Sequence, residues 1–358
     1  MKPLLIDTPF QEWNIKGLPV YRNKQIRKWI YEKGILDFEE MSNLPLEVRK
    51  DLGNEWDLRP MELVRVQGSQ DTTQKFLLKL RDGQLIESVL IPATQGTKGI
   101  RASRLTLCVS TQVGCGLGCK FCASGLDGLK RNLSTGEIIG QILLARSKAK
   151  RRVDNLVFMG MGEPLANLPA MIPALDQILS PEGLGIGARH ITLSTSGLAP
   201  KIIELSKYPA QIRLAISLHG GDNRTREQIM PINKRYPIEE LISACEKFIE
   251  ERKKMITLEY ILIKGVNDDL GQASLLAKHA KRLNAKVNLI PYNNVDGLEW
   301  ERPEISHIHS FHKLVEKEKA PRVTLRMEKG HDIAAACGQL RLKEKKTQNL
   351  KMFAGQKD

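Results

Sequence analysis

The chain has 358 residues, 41% of them hydrophobic, enough for one large domain with a small accessory one. Its 55 basic side chains against 41 acidic ones give a net charge of +14, which points to a polyanionic partner, nucleic acid first. No run of about 18 apolar residues exists, which excludes a membrane-spanning helix, and an aromatic content of 5% argues against a base-stacking platform as the main mode of RNA contact.

The N-terminal stretch "MKPLLIDTPFQEW" carries Asp7 and no small-residue cleavage site, so it is not a signal peptide and a cytoplasmic location is expected. There the six cysteines stay reduced unless they are catalytic or bind metal. Residues 1–60 read as a small, basic, helical accessory domain suited to RNA. In "YRNKQIRKWIYEKG", Ile26, Trp29 and Ile30 recur at helical spacing with Arg and Lys between them, and Gly34 ends the helix. A second short helix is expected around "PLEVRKDLG". Residues 61–103 form a hairpin and loop extension: "FLLKL" and "LIESVLI" flank the turn "RDGQ", and "ATQGTKGIRAS" (93–103) is a polar loop.

From 104 to 341 strand-like and helix-like stretches alternate. The strands are expected at 104–110, 155–160, 190–195, 213–218, 257–263, 286–292 and 322–327. Helices lie between them, for example at 134–149, 238–253 and 270–283. Such a βα repeat with apolar strands predicts a parallel sheet, and about six units suit a complete or partial barrel better than an open nucleotide-binding sheet. Polar motifs then fall on one rim, after the strands' C-terminal ends: "GCGLGCKFC", "MGE", "STSG", "SLH" and "PYN". Residues 342–358 make a basic tail.

Cys115, Cys119 and Cys122 follow a C-x3-C-x2-C pattern. Three such thiols hold three irons of a [4Fe-4S] cluster and leave one iron to chelate the amino and carboxylate groups of S-adenosylmethionine (SAM). The alternative is zinc, which usually takes four ligands. No CxxC or HxxxH partner lies nearby.

The order and content of "LCVSTQVGCGLGCKFCA", "VFMGMGEPLAN", "HITLSTSG", "AISLH", "MPINKRYPI" and "DIAAACGQL" resemble the RlmN/Cfr family of radical SAM RNA methyltransferases, over residues 15 to 341. The resemblance implies an α/β fold, a partial βα barrel of the radical SAM type carrying the helical accessory domain and the β-hairpin extension. It also implies methylation at C2 of an adenosine in the peptidyl-transferase region of 23S rRNA and, in some members, of one beside the tRNA anticodon. Gly162 and Glu163 match the family's contacts to the SAM amino group, and Ser194, Ser217, Leu218, His219 and Asn293 match its other SAM contacts. Individually these have plain structural readings: Ser194 as a helix cap, His219 as a satisfied rim histidine.

The same resemblance implies that Cys337 carries a methyl group taken from one SAM and that a second SAM in each turnover activates it for addition to C2. Cys108 then releases the base and closes a disulfide that a cytosolic reductant reopens. Glu87 matches the family's proposed general base for the C2 proton. Read from composition alone, Cys108 is a buried strand cysteine, Cys337 a helical core residue and Glu87 a solvated strand glutamate. Cys245, in "LISACEKFI", reads as core. An electron donor such as flavodoxin is the expected protein partner, and a monomer is expected. His331 in "EKGHDI", "PYNN" and the long 93–103 loop depart from the family pattern and bear on RNA contacts. Other functions left open are a Cfr-like C8-methyltransferase, a radical SAM activase acting on a protein, and a zinc-stabilised RNA-binding protein.

Overall fold

The structure is a computed structural model that describes residues 1–326 apart from residue 14 and residues 16–17, 70–71, 94–103, 295–297 and 319–321. Cys337, His331 and the basic tail lie outside the described residues, as does nearly all of the 93–103 loop.

The N-terminal module contains α1 (Val20–Arg27), a wider five-residue helical turn at Lys28–Glu32, and α2 (Leu46–Glu55). Ile26 and Ile30 point into the core, as their spacing predicts, and Trp29 packs partly buried against it. Three strands follow, β1 (Met61–Gly68), β2 (Gln74–Leu80) and β3 (Leu85–Pro92), joined as antiparallel hairpins. β4 (Leu105–Cys108) opens the βα repeat, and β5 (Gln112–Gly114) and β6 (Leu129–Asn132) pair with each other across the cysteine loop. The repeat continues through α3 (Thr135–Ala149), β7 (Asn155–Phe158), α4 (Leu168–Leu179), β8 (Ile191–Thr195), α5 (Ala199–Ser206) and β9 (Arg213–Ser217). It closes with α6 (Asn223–Ile229), α7 (Ile238–Arg252), β10 (Thr257–Leu262), α8 (Leu270–Arg282), β11 (Lys286–Pro291), α9 (Ile305–Glu318) and β12 (Val323–Leu325).

Local chemistry starts these helices where the pattern requires. Ser134 and Glu137 form a reciprocal capping box at α3, Asp222 accepts the Thr225 N–H at α6, and Asp269 accepts the Gln272 N–H at α8.

The main sheet runs β1-β2-β3-β4-β7-β8-β9-β10-β11-β12. From β4 onward every pairing is parallel, as expected. The hairpin is a continuous part of this wall: β3 pairs antiparallel with β4 and sets Val89 opposite Cys108. β1, which the sequence reading did not separate, forms the far edge. Among the described residues no pairing joins β12 to β1, so the barrel is partial.

Side chains alternate strictly along the strands. Leu107, Leu156, Phe158, Leu193, Ile216, Tyr260 and Leu289 join one hydrophobic core with Ile139 of α3, Met171 of α4, Phe248 of α7 and Phe311 of α9. The opposite, inner face is largely polar. The registers Ser217↔Glu259, Glu259↔Asn288 and Asn288↔Thr324 lay one polar row across it, and Val89↔Cys108, Cys108↔Val157 and Val157↔Thr192 set Cys108 and Thr192 between valines in another row. The strands are therefore apolar toward the helices and chemically equipped toward the lumen.

Candidate active site

The cysteine loop leaves the C-terminal end of β4 and is framed by the β5–β6 pair. The Cys115 N–H donates to the Gly128 carbonyl at 3.2 Å, the Cys122 N–H to the Cys119 carbonyl at 3.1 Å, and the Lys120 N–H to the Ile229 carbonyl at 2.9 Å. Asn167 donates to the Thr111 and Leu133 carbonyls, both at 2.9 Å, and so ties the start of this segment to the strand beyond it. All three thiols are half-buried. Burial, helped by the neighbouring Cys122 and Glu163, pushes the Cys115 thiol up to about 12. Burial and the other two thiols raise Cys119 well above the ordinary thiol range.

This donor set fits an iron–sulfur cluster. The ligands are three soft thiolate sources, each of whose ionisation opposes the others', a conflict that a bound cationic centre reverses. Among the described residues no three His, Cys, Asp or Glu side chains converge as ligands of a single ion do. Thiolates that each bind a different iron of one cluster need no such convergence.

The "MGE" turn lies against β5. Thr111 and Gln112 both donate backbone N–H groups to the Met161 carbonyl, at 2.8 and 3.2 Å, and the Gln112 side chain accepts the Glu163 N–H at 2.8 Å. Gly162 has φ +101°, and a Cβ there would sit 2.5 Å from the Gln112 Cβ, so only glycine allows this approach. The Glu163 carboxylate is buried. It accepts the Leu165 N–H at 3.1 Å and the Ser196 N–H at 2.8 Å, and burial raises its pKa.

The other SAM-contact candidates follow on the same rim. Ser194 lies inside β8, not at a helix start, and Ser217 ends β9 on the inner face. Leu218 is fully buried, and its N–H donates to the Glu259 carbonyl at 3.0 Å. His219 is indeed a satisfied rim histidine. Its Nδ1 accepts the Ile261 N–H at 3.0 Å and its ring meets Phe121 edge-on at 4.9 Å. Its backbone sits at φ +56°, held by Asn267, which donates to the His219 and Ile261 carbonyls. Burial and the Arg226 charge pull the imidazole down to about 3, so it is neutral at physiological pH. Asn293 follows β11 and is half-buried.

Cys108 ends β4 on the inner face, 6% exposed. Glu87 shares that face, two residues from Val89, which opposes Cys108. The expectation of a solvated glutamate is overturned: Glu87 is fully buried and its Oε2 lies 2.8 Å from the Nζ of Lys75, which is equally buried. The register causes this. Leu77 opposes Glu87, so Lys75 is its diagonal neighbour on the same face. Cys245 is buried in α7, as the sequence suggests.

Sequence reasoning passed over Lys75, Gln141, Arg226 and Asn267. Gln141 of α3 accepts the Ser110 N–H and the Ser88 hydroxyl and donates to the Ser110 carbonyl, closing the ladder where β4 stops. Its only sequence signal is a glutamine inside the otherwise apolar "EIIGQILLA".

The chain is similar to known proteins over nearly its whole length. Residues 109–274 match the radical SAM superfamily, and residues 11–57 match the ribosomal RNA large subunit methyltransferase N-terminal domain. A probable dual-specificity RNA methyltransferase RlmN of Akkermansia muciniphila is 54% identical over 94% of this chain and 93% of its own length. The dual-specificity RNA methyltransferase RlmN of a Nitratiruptor species is 42% identical over 95% and 98%. A crystal structure of a radical SAM methyltransferase from Sphaerobacter thermophilus superposes with a TM-score of 0.89 at 40% identity, covering 94% of this chain and 98% of that one.

Proposed function

This chain belongs to the RlmN family of radical SAM RNA methyltransferases, and we propose that it methylates C2 of an adenosine in 23S rRNA and in tRNA, using Cys337 as methyl carrier and Cys108 as the thiol that releases the product. The observation that supports this reading is the inner face of the sheet, which carries both Glu87 and Cys108, with the three-thiol loop following the strand that Cys108 ends.

Cys115, Cys119 and Cys122 hold the [4Fe-4S] cluster in this reading, with Gly162, Glu163, Ser194, Ser217, Leu218, His219 and Asn293 around SAM. When bound, these two groups supply the radical chemistry that an electron-poor carbon such as C2 requires. The chain's own residues do the rest. Glu163 orders the turn beside the cluster loop through its two backbone hydrogen bonds. Neutral His219 presents no positive charge to a sulfonium ligand. Once the adduct's unpaired electron has left, to the oxidised cluster that would be bound there, Glu87 takes the C2 proton so that the ring becomes aromatic again, and Lys75 compensates its negative charge in the buried state. The Cys108 thiolate attacks the Cys337 sulfur. An S–S bond forms as the S–C bond to the methylated base breaks, the carbon takes a proton, and a cytosolic thiol reductant reopens the disulfide.

The basic N-terminal module serves RNA binding, with Arg22, Lys24 and Lys28 on it, and the electron comes from a one-electron carrier of the flavodoxin type. No helix among the described residues is long and apolar enough to cross a membrane, and the chemistry suits the cytoplasm, where a reductant is at hand.

The test is covalent trapping. Cys108→Ala leaves addition to the base intact and removes release, so protein purified from cells carries RNA through Cys337. A ribonuclease-sensitive band on a denaturing gel is expected for Cys108→Ala and none for the Cys108→Ala, Cys337→Ala double variant. Absence of the band in the single variant removes Cys108 from this role, and its persistence in the double variant removes Cys337.

A further inference from the structure

We propose that Arg226 is the built-in countercharge of the iron–sulfur cluster and raises the share of cluster that a one-electron donor reduces. The inference rests on the reading of Cys115, Cys119 and Cys122 as cluster ligands and adds a residue to it.

Arg226 lies in the two-turn helix α6 and is fully buried. Its guanidinium donates to the Leu218 carbonyl at 3.1 Å, the Asn233 Oδ1 at 2.9 Å, the Tyr236 carbonyl at 3.4 Å and the Ser196 carbonyl at 2.6 Å. All four acceptors are uncharged. Hydrogen bonds to neutral oxygens satisfy the N–H groups but leave the charge itself uncompensated, an arrangement that folded proteins avoid unless an anion is near.

The structure places one of the proposed cluster ligands beside it. Ser196, whose carbonyl takes the 2.6 Å bond, has its hydroxyl 4.0 Å from the Cys119 sulfur, and its N–H donates to Glu163 at 2.8 Å. The end of α6 is docked on the cysteine loop by the 2.9 Å bond from the Lys120 N–H to the Ile229 carbonyl. The turns around Arg226 are built for close approach. A Cβ on Gly220 would lie 2.6 Å from the Arg226 nitrogen, and one on Gly197 would lie 3.0 Å from Nη2. Electrostatics run the same way. Burial pulls Arg226 down to about 10, so it stays cationic at neutral pH, while the Cys119 and Cys245 thiols favour its charge. Arg226 in turn disfavours a proton on His219. The groups facing it are thus Cys119, Cys245 and His219, with Glu163 one residue beyond.

The sign follows from charge. A cluster held by three thiolates is more negative by one unit after reduction, so a fixed cation in a low-dielectric setting favours the reduced form. The hydrogen bonds to Ser196 and Leu218 also tie the "STSG" and "SLH" rims together, a structural role that any donor fork fills. Only the charge moves the redox equilibrium.

The experiment uses anaerobically reconstituted full-length protein. Iron and sulfide content shows that the cluster is bound, and electron paramagnetic resonance at poised potentials gives the ratio of reduced to oxidised cluster. Arg226→Gln removes the charge. Asn233→Asp keeps the arginine and gives it a carboxylate 2.9 Å from Nη1. Arg226→Lys keeps the charge and loses the fork. At a fixed potential Arg226→Gln and Asn233→Asp are each expected to lower the reduced-to-oxidised ratio on the order of tenfold, about 59 mV for a one-electron couple. Arg226→Lys stays near wild type. Should Arg226→Gln fail to fold, Asn233→Asp against Arg226→Lys carries the comparison. Wild-type ratios in the two charge-cancelling variants, or an equal fall in Arg226→Lys, overturn the inference while the cluster reading stands. A wild-type chain that takes up no iron overturns the cluster reading itself.

Discussion

At the scale of single residues the buried pair Lys75–Glu87 shows how charge is placed in this fold. Both side chains are fully excluded from water and 2.8 Å apart, and removing one partner from such a pair costs about 3–5 kcal/mol because the other is left uncompensated. Lys75→Met is expected to lose that much in denaturant unfolding. The Lys75→Met, Glu87→Met double variant recovers part of it, and a coupling energy indistinguishable from zero would show that the two do not act as a pair. His219 makes a second case. Its folded pKa of about 3 lies below the value near 6.5 of an unfolded histidine, so the unfolded chain binds the proton first as pH falls. Its contribution to stability is therefore complete above about pH 6.5 and declines between there and about pH 3. His219→Asn, which tolerates the same left-handed backbone, is expected to resist acid better, narrowing the wild-type loss by about 3 kcal/mol at pH 4. Parallel stability curves for the two proteins would contradict this. The three cysteines proposed to hold the cluster stood out in the sequence because their spacing within one loop is itself the chemical signal. Lys75 was not, since its partner is fixed by strand register. Arg226 was not either, since "NRTREQI" resembles a surface helix and only the Ser196, Leu218 and Tyr236 carbonyls, contributed from outside the helix, show it to be buried.

At the scale of elements the wall of the lumen begins before the βα repeat does. The alternation of "LIESVLI" indicated a strand, and the turn "RDGQ" indicated a hairpin. Neither local signal said that β3 would pair with β4 and turn Glu87 toward Cys108, because pairing across the 93–103 loop is a long-range choice. All seven strands of the repeat were legible, since their apolar residues form one face against the helices. The polar inner row Ser217, Glu259, Asn288 and Thr324 emerged only with the register. Gln141 joins these elements. Among the described residues it is the partner of both the N–H and the carbonyl of Ser110, just past the end of β4. Replacing it with leucine leaves two buried backbone groups without partners, each worth about 1–3 kcal/mol. Gln141→Leu is expected to lose at least about 2 kcal/mol by denaturant unfolding and to retain less iron, since Ser110 opens the segment leading to Cys115. Unchanged stability would show that water or a shifted side chain serves Ser110 equally well.

At the scale of the whole molecule the +14 charge and the location of chemistry on one rim belong to the same account. An enzyme that neutralises several phosphates loses affinity steeply as salt displaces it, so binding to RNA is expected to weaken at least tenfold between about 50 and 200 mM salt, with a linear dependence in logarithmic form. A flat response would make the charge a matter of solubility alone. The target adenine also has to leave its stack to reach a lumen lined by Cys108 and Glu87, so RNA whose target base is already unstacked is the better substrate. The central claim, adenosine C2 methylation of RNA by this chain, is tested most directly by mass spectrometry of nucleosides from purified 23S rRNA and tRNA of cells with and without its gene. 2-Methyladenosine is expected in RNA from cells that have the gene and is lost from those that lack it, with restoration by the wild-type chain and none by Cys119→Ala. Equal 2-methyladenosine in both strains, or the loss of 8-methyladenosine instead, would contradict it.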